Sequence, residues 1–182
     1  MKFLKLHLTL PALLVAGIFA GCSQTSMKSP DVSDNIRKSL DQAGLKDVSA
    51  KQDRDKGVVT LGGHVATADD KTQAEAIAQT NAGGQVVADQ IAVIPRGAES
   101  DAKKVNSDLD KGIENNLDAA LIHNGMHDSV KYHVKNHVVT LTGEVDSQSK
   151  RSQAARVAAS VPSVQQVVNE LQVKNQKATS SM

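Results

Sequence analysis

Aromatic side chains are almost missing from this sequence of 182 residues, in which Phe, Trp and Tyr together make up 2%. Beyond residue 22 the only one is Tyr132. Single-stranded nucleic acids bind by stacking bases on aromatic rings, so this chain offers no stacking platform. The net charge is +1, and without Lys2 and Lys5 it becomes 19 basic minus 20 acidic side chains, or −1. A nucleic acid partner is therefore excluded on charge as well.

Cysteine is equally scarce, because Cys22 is the only one in the chain. A single thiol excludes an internal disulfide framework and a cysteine-rich zinc site. The sequence also contains no Gly-x-Ser-x-Gly motif and no glycine-rich phosphate loop, and no pair of carboxylates is placed in a plausible cleft. We predict no catalytic residues, no cofactor and no enzymatic activity.

The first 21 residues have the parts of a secretory signal peptide. Lys2 and Lys5 precede an apolar run from Leu8 to Ala20, and small residues follow. An apolar region of about a dozen residues is too short to span a bilayer and fits a cleaved signal. We expect residues 1–21 to be a signal peptide.

The end of this segment, Phe19-Ala20-Gly21-Cys22, resembles the bacterial lipobox, in which the cysteine thiol is acylated. The alternative is an ordinary signal peptide cleaved nearby, with Cys22 incidental. Several acyl chains would make attachment effectively permanent. By resemblance to the sorting rule of such lipoproteins, Ser23 favours the periplasmic face of the outer membrane. We expect Cys22 to carry the lipid and residues 22–30 to form a polar tether.

The remainder of the chain is built from one unit used twice. Val58–Val65 reads Val-Val-Thr-Leu-Gly-Gly-His-Val, and Val138–Val145 reads Val-Val-Thr-Leu-Thr-Gly-Glu-Val, 138 − 58 = 80 positions later. This offset holds without a gap as far as Val93 and Val173, with about a third of the pairs identical. Alternating β-branched residues indicate a half-buried strand in each copy, ending at a glycine.

Each unit has the same predicted order of elements. Ser29-Pro30-Asp31 and Ser107-x-x-Asp110 are candidate starts of a first helix. A short strand and a polar hairpin lead to the central strand, and Thr67 and Ser147 cap a second helix. A last strand alternates over residues 87–93 and 167–173. The fold class is α+β, with two tandem helix-strand-strand-helix-strand domains, each a two-layer sandwich.

We place the first domain at residues 31–95 and the second at 105–175. Residues 96–104 lack apolar periodicity and are interpreted as a linker, and the alternative is that the first helix of the second repeat begins upstream of Ser107, near Ala102 to Val105. Residues 176–182 are interpreted as a disordered tail, because they are polar and terminal.

The motif Val-Val-Thr-Leu-x-Gly-x-Val, followed by a capped helix with Ala-x-x-(Ile/Val)-Ala and then by Val-x-(Asp/Asn)-x-(Ile/Leu)-x-Val, resembles the BON domain. The resemblance covers both repeats. It implies a periplasmic or membrane-attached module without catalytic activity, which binds membrane phospholipid or other envelope components and supports envelope integrity under osmotic or other stress. An alternative function is a structural protein that binds a protein partner and no lipid.

Basic residues on the second helix of the second repeat are the candidate ligand contacts: Lys150, Arg151 and Arg156. Positive charge in a first turn opposes the helix dipole unless an anion binds there. The first repeat has Asp69 and Asp70 in that region. We predict a weak site for an anion or lipid headgroup, and the alternative is a solvated charged face.

Histidine is concentrated in the second repeat, at positions 123, 127, 133 and 137. Two pairs have the i, i+4 spacing of metal ligands. However, Gly125 interrupts one pair and a predicted hairpin the other. We predict solvated histidines and no metal site, with a metal-binding module as the lesser alternative.

Overall fold

The computed structural model describes residues 28–174. The expected signal peptide, Cys22, most of the tether and the expected tail lie outside this range. The elements of the first repeat are α1 (Ser33–Gln42), β1 (Val48–Asp53), β2 (Val58–Val65), α2 (Ala68–Asn81), β3 (Val86–Asp89) and β4 (Ala92–Val93). Those of the second are α3 (Glu99–His123), β5 (Val130–Lys135), β6 (Val138–Val145), α4 (Gln148–Ala159), β7 (Gln166–Asn169) and β8 (Gln172–Val173).

Both repeats have the same sheet. The central strand β2 pairs antiparallel with β1 and parallel with both β3 and β4, and β6 pairs in the same way with β5, β7 and β8. The last predicted strand is therefore interrupted in each repeat, at residues 90–91 and 170–171. The helices cover one face of each sheet, which confirms the predicted α+β class.

Each core is filled by β-branched and aliphatic side chains from the sheet and small side chains from the second helix. Val59 and Leu61 of β2 are fully buried, and so are Ala74 and Ala78 of α2. Alanine at these two positions lets α2 approach the sheet closely. The second repeat buries the equivalent residues, 80 positions later: Val139, Leu141, Ala154 and Ala158.

The glycine of the repeated motif lies inside the central strand and not at its end. A Cβ atom on Gly63 would collide with the backbone carbonyl of Asp47, and one on Gly143 would collide with that of Ser129. Both glycines have a positive φ, +97° and +114°. The motif therefore requires glycine because the backbone carbonyl directly before β1 or β5 occupies the space that a Cβ atom would fill.

Two predicted helix starts are wrong. Helix α1 begins at Ser33, where Asp31 Oδ1 accepts from the backbone N–H (3.3 Å), and Ser29 and Pro30 bind the β1–β2 hairpin instead. In the second repeat, Ser107 lies inside α3, which starts at Glu99. Thr67 and Ser147 do cap their helices, accepting from the N–H groups of residues 70 and 150 at 3.1 and 3.2 Å.

Residues 99–104, interpreted above as part of a linker, form the first turns of α3. Acidic residues at 99 and 101 favour a helix N-terminus, and Lys104 pairs with Asp108 at 2.9 Å one turn later. This part of the helix is exposed on most sides, so apolar periodicity is missing although a helix is present. Within residues 28–174 no helix is both long and apolar enough to cross a membrane.

Candidate functional site

The predicted anion site lies at the start of α4, where Lys150 is exposed. Lys150 Nζ is 2.7 Å from Asp146 Oδ2, and Lys174 Nζ is 4.0 Å from Asp146 Oδ1. The hydrogen bond from Lys150, followed by the charges of the two lysines, lowers the pKa of Asp146. Asp146 thus provides, just before the helix, the negative charge that the first turn lacks. Ion pairs this exposed are weak, so Lys150 remains accessible to another anion.

Arg151 points into its own domain. Its Nε donates to the carbonyl oxygen of Leu171 (2.8 Å) and its Nη2 to that of Asn169 (3.0 Å). Arg156 is exposed in the last turn of α4. Because successive helical residues are rotated by about 100°, Lys150 and Arg156 face different sides of the helix. The structure therefore does not bring the three candidate residues together, and only Lys150 and Arg156 face solvent.

The contact made by Arg151 has an equivalent in the first repeat. Lys71, 80 positions earlier, donates to the carbonyl oxygen of Ile91 (3.0 Å) and lies 3.7 Å from Asp89 Oδ2. These two basic side chains hold the strand break, which we define as residues 89–91 and 169–171. The repeated pairs Lys71/Arg151 and Asp89/Asn169 were visible in the sequence, and this shared contact explains them.

Asp89 is the only buried charged residue among those the structure describes, with 6% exposure. Its Oδ1 accepts from the backbone N–H of Ile91 (3.1 Å) inside the strand break. Burial raises the pKa of Asp89, against the opposing effects of that hydrogen bond and of Lys71. In the second repeat Asn169 makes the same contact, accepting from the N–H of Leu171 at 3.2 Å. An amide therefore performs the same structural role without a charge.

The two repeats contact each other through the edge strands β3 and β7. Four apolar residues on the sheet faces opposite the helices form one buried cluster: Val58, Ala88, Val138 and Val168. The Gln166 side chain binds the free edge of β3, accepting from the N–H of Asp89 (2.9 Å) and donating to the carbonyl of Val87 (2.7 Å). One side chain thus satisfies two backbone groups that an edge strand leaves unpaired.

Two further contacts between the repeats are related by the internal offset. Lys56 Nζ binds Glu170 Oε2 at 2.5 Å, and Asn136 Nδ2 donates to the carbonyl oxygen of Gln90 at 2.7 Å. Since 56 + 80 = 136 and 90 + 80 = 170, each contact joins equivalent positions in opposite directions. The repeats are therefore arranged about an approximate two-fold axis, with β3 and β7 antiparallel.

Three residues with unfavourable backbone conformations lie at one end of the contact between the repeats. Asn136 and His137 form the hairpin between β5 and β6 with φ of 47° and 66°, and Ser163 has φ of 68°. These are the only non-glycine residues with positive φ in the described part of the chain. The first repeat has glycine at two of these positions, Gly57 (φ 66°) and Gly83 (φ 60°). A side chain in this conformation costs about 1–2 kcal/mol that glycine avoids.

Asp110 holds the hairpin in this conformation. Its two carboxylate oxygens accept from the backbone N–H groups of Asn136 (2.8 Å) and His137 (2.9 Å). The imidazole Nε2 of His137 is buried and has no hydrogen-bond partner among the described residues. His137 also lines two clefts of about 320 Å³ each, one with Leu109 and Val164, the other with Asn106 and residues of α2 and β4. We call the groove lined by Leu109, His137, Ser163, Val164 and Gln165 the His137 corner.

The other three histidines of the second repeat are exposed. His127 Nε2 lies 3.1 Å from Asp118 Oδ1, which also accepts from the Tyr132 hydroxyl at 3.0 Å. Burial and Asp118 together raise the pKa of Tyr132. In residues 28–174 no three histidine, cysteine or acidic side chains are arranged to hold a metal ion. These three histidines are exposed, as predicted, whereas His137 is partly buried and departs from that prediction.

The fold defines a small α+β module used in tandem. In a comparison with protein-family models, the BON domain matches residues 30–95 and 108–175. The protein belongs to the BON domain family and contains two such domains, as the resemblance predicted.

Other comparisons add little. No curated protein matches the sequence. Among solved structures, the C-terminal domain of CdsD, the structural protein of the type III secretion system of Chlamydia trachomatis, is 14% identical, with a TM-score of 0.32 over 78% of this chain and 65% of that chain. A second CdsD structure is 12% identical, with a TM-score of 0.35 over 77% of this chain and 90% of that chain. These similarities are too weak to support an argument.

Proposed function

We propose that this protein is a non-enzymatic lipoprotein anchored through Cys22 at the periplasmic face of the outer membrane. Its BON domains bind membrane phospholipid or another envelope component and support envelope integrity under osmotic or other stress. The observation that carries this proposal is the combination of two BON domains with a preceding segment that ends in a lipobox-like cysteine.

Acylation is tested by expressing the full chain in bacteria that are fed a clickable fatty acid. We expect label on the wild-type protein and none on Cys22→Ser, which should run free in the periplasmic fraction. An unlabelled wild-type protein would contradict the anchor. Fractionation of inner and outer membranes then tests the location.

The headgroup contact is assigned to the exposed start of α4, with Lys150 as the contact residue and Lys174 beside it. Arg151 is a poor probe because it holds the strand break, so its replacement would disturb the fold. Arg156 is a matched control, since it is a basic residue on the same helix but on another side.

Sedimentation with lipid vesicles tests this contact with the chain lacking residues 1–22. Binding to anionic vesicles that weakens with salt is expected for the wild type. Lys150→Glu should reduce this binding, whereas Arg156→Glu should leave it close to wild type. Equal binding by all three proteins would exclude Lys150 as the contact residue, and no binding by the wild type would remove lipid recognition from the domains.

A second candidate function is a structural protein that binds an envelope protein, and the His137 corner favours it. Strained backbone clusters at functional sites, and here the first repeat shows that the fold can use glycine at the position of His137. His137→Gly should raise the free energy of unfolding by up to about 1 kcal/mol, because the strain is removed. A photoreactive residue placed at position 109, in place of Leu109, should form cross-links to the partner protein in the cell. If the corner binds that partner, His137→Gly should abolish these cross-links. Unchanged cross-linking would contradict a binding role for the corner.

A further inference from the structure

The start of the described chain is fixed to one end of the first domain. The backbone N–H of Ser29 donates to the carbonyl of Arg54 (2.9 Å), and Arg54 Nε donates to the carbonyl of Ser29 (2.8 Å). Gln52 Nε2 donates to the carbonyl of Pro30 (2.7 Å), and Lys28 lies 3.4 Å from Asp55. The chain therefore leaves the domain at the tip of the β1–β2 hairpin, in a direction set by these four contacts.

The distance from this point to the acylated cysteine is short. Five residues separate Cys22 from Lys28, and six peptide units span at most roughly 20 Å when fully extended. The opposite end of the first domain lies a further 26 Å or so along the eight residues of β2. The tether therefore keeps the hairpin tip within roughly 20 Å of the bilayer that holds the lipid of Cys22. When β2 points away from the bilayer, the opposite end of the domain lies beyond that distance.

The start of α4 in the second domain lies at the same end of the molecule. Lys56, beside the hairpin tip, binds Glu170, and Arg151 in the first turn of α4 binds the carbonyls of the residues on either side of Glu170. Two residues beyond Glu170, β8 runs beside the end of β6, from which α4 begins. The antiparallel arrangement of β3 and β7 therefore places the hairpin tip of one domain beside the α4 N-terminus of the other.

We propose that this shared end faces the bilayer, and we define it as the proximal end: the β1–β2 hairpin tip, Val86, Ile122, the α4 start and Lys174. This inference depends on the proposed acylation of Cys22. The occupant is a membrane surface, and the argument for it is the length of the tether and the place where it joins the fold. The distal end carries Leu109, Asn136 and His137, which face away from the membrane.

Charge at the proximal end is nearly balanced, so the tether and not lipid charge sets the orientation. Each of its four lysines has an acidic partner: Lys28 has Asp55, Lys56 has Glu170, and Lys150 and Lys174 share Asp146. Two of the four exposed large apolar side chains of the described chain, Val86 and Ile122, are also at this end. Such a surface tolerates contact with a neutral bilayer as well as an anionic one.

The test uses the chain starting at Cys22, coupled through this single cysteine to a maleimide lipid in nanodiscs that also contain a gadolinium-labelled lipid. Paramagnetic broadening of backbone amide signals then reports distance from the bilayer. We expect loss of the signals of Arg54, Asp55, Ile122 and Lys150, and retention of those of Leu109 and Asn136. The pattern should be the same in neutral and anionic nanodiscs. Uniform broadening, or loss of the distal signals first, would overturn the proposal.

Two variants make the test specific. Arg54→Ala removes the side-chain hydrogen bond to the carbonyl of Ser29 and so loosens the exit of the chain. Broadening should therefore spread to other faces, whereas Arg156→Ala, at an exposed position, should keep the wild-type pattern. An unchanged pattern in Arg54→Ala would show that the side-chain contact from Arg54 to Ser29 does not set the orientation and would overturn that step. Because coupling replaces natural acylation, failure of fatty acid labelling in cells refutes the anchor, and failure of the broadening pattern refutes the orientation.

Discussion

At the scale of single residues, the glycine of the repeated motif is the most demanding position. Gly63→Ala should lower the free energy of unfolding by about 2 to 3 kcal/mol, because the new Cβ meets an immovable backbone carbonyl at a positive φ. Gly62→Ala is the matched control, since its φ is ordinary and its Cβ would meet only the flexible Ser49 hydroxyl at 3.3 Å. Urea unfolding followed by circular dichroism compares them, and equal losses would contradict the assigned cause.

Asp89 gives a prediction about pH. Its pKa is raised above the ordinary value of 3.8, chiefly by burial, so the folded state holds the proton more tightly than the unfolded state. As the pH rises from 3.8 through the folded pKa, this residue therefore subtracts an increasing amount from stability. Above the folded pKa the full cost is present.

Asp89→Asn removes this titration and reproduces the amide found at Asn169. We expect the variant to gain stability relative to wild type as the pH rises through that window, and the difference to level off above it. Urea unfolding across pH 3 to 7 measures the difference, with exposed Asp128→Asn as the control. A difference that does not change with pH would contradict the assignment of the titrating group.

At the scale of elements, the basic residue of the second helix fixes the strand break. Arg151→Met keeps most of the side-chain volume but removes two charge-assisted hydrogen bonds to carbonyls, which should cost about 2 kcal/mol. Arg156→Met, exposed on the same helix, should change stability by less than about 0.5 kcal/mol. Thermal unfolding measures both. Similar effects for the two arginines would mean that Arg151 is not a structural residue.

The order of elements was predictable because the two repeats show the same alternation of apolar and polar residues, 80 positions apart. The strand break was not, since Asp89 and Asn169 fit an uninterrupted alternating strand until the contact from Lys71 or Arg151 is seen. The start of α3 was predicted too late, at Ser107 or near Ala102 to Val105 instead of Glu99, because a helix exposed on most sides carries no apolar periodicity. Arg151 was a candidate contact for an external anion because only its place in the helix was known from the sequence. In the structure it binds the backbone of its own domain.

At the scale of the whole molecule, the contact between the domains could not be derived from the sequence. Gln166 and Val87 lie in different repeats and at non-equivalent positions, so the offset of 80 gives no indication that they meet. The offset becomes informative only once the contacts are known. It then shows that the Lys56–Glu170 and Asn136–Gln90 contacts are equivalent and related by an approximate two-fold axis.

This contact is small, since one cluster of four apolar residues and a few hydrogen bonds join two complete cores. Val168→Asp places a charge in that cluster, where burial without a partner is costly, but the charge reaches water if the domains separate. We therefore expect the variant to keep the secondary structure of both domains and to increase the radius of gyration measured by small-angle X-ray scattering. Lys131→Asp, on an exposed position of β5, should leave the radius unchanged. An unchanged radius for Val168→Asp would mean that this cluster does not hold the two domains together, and unfolding of the second domain would mean that Val168 is needed for its own fold.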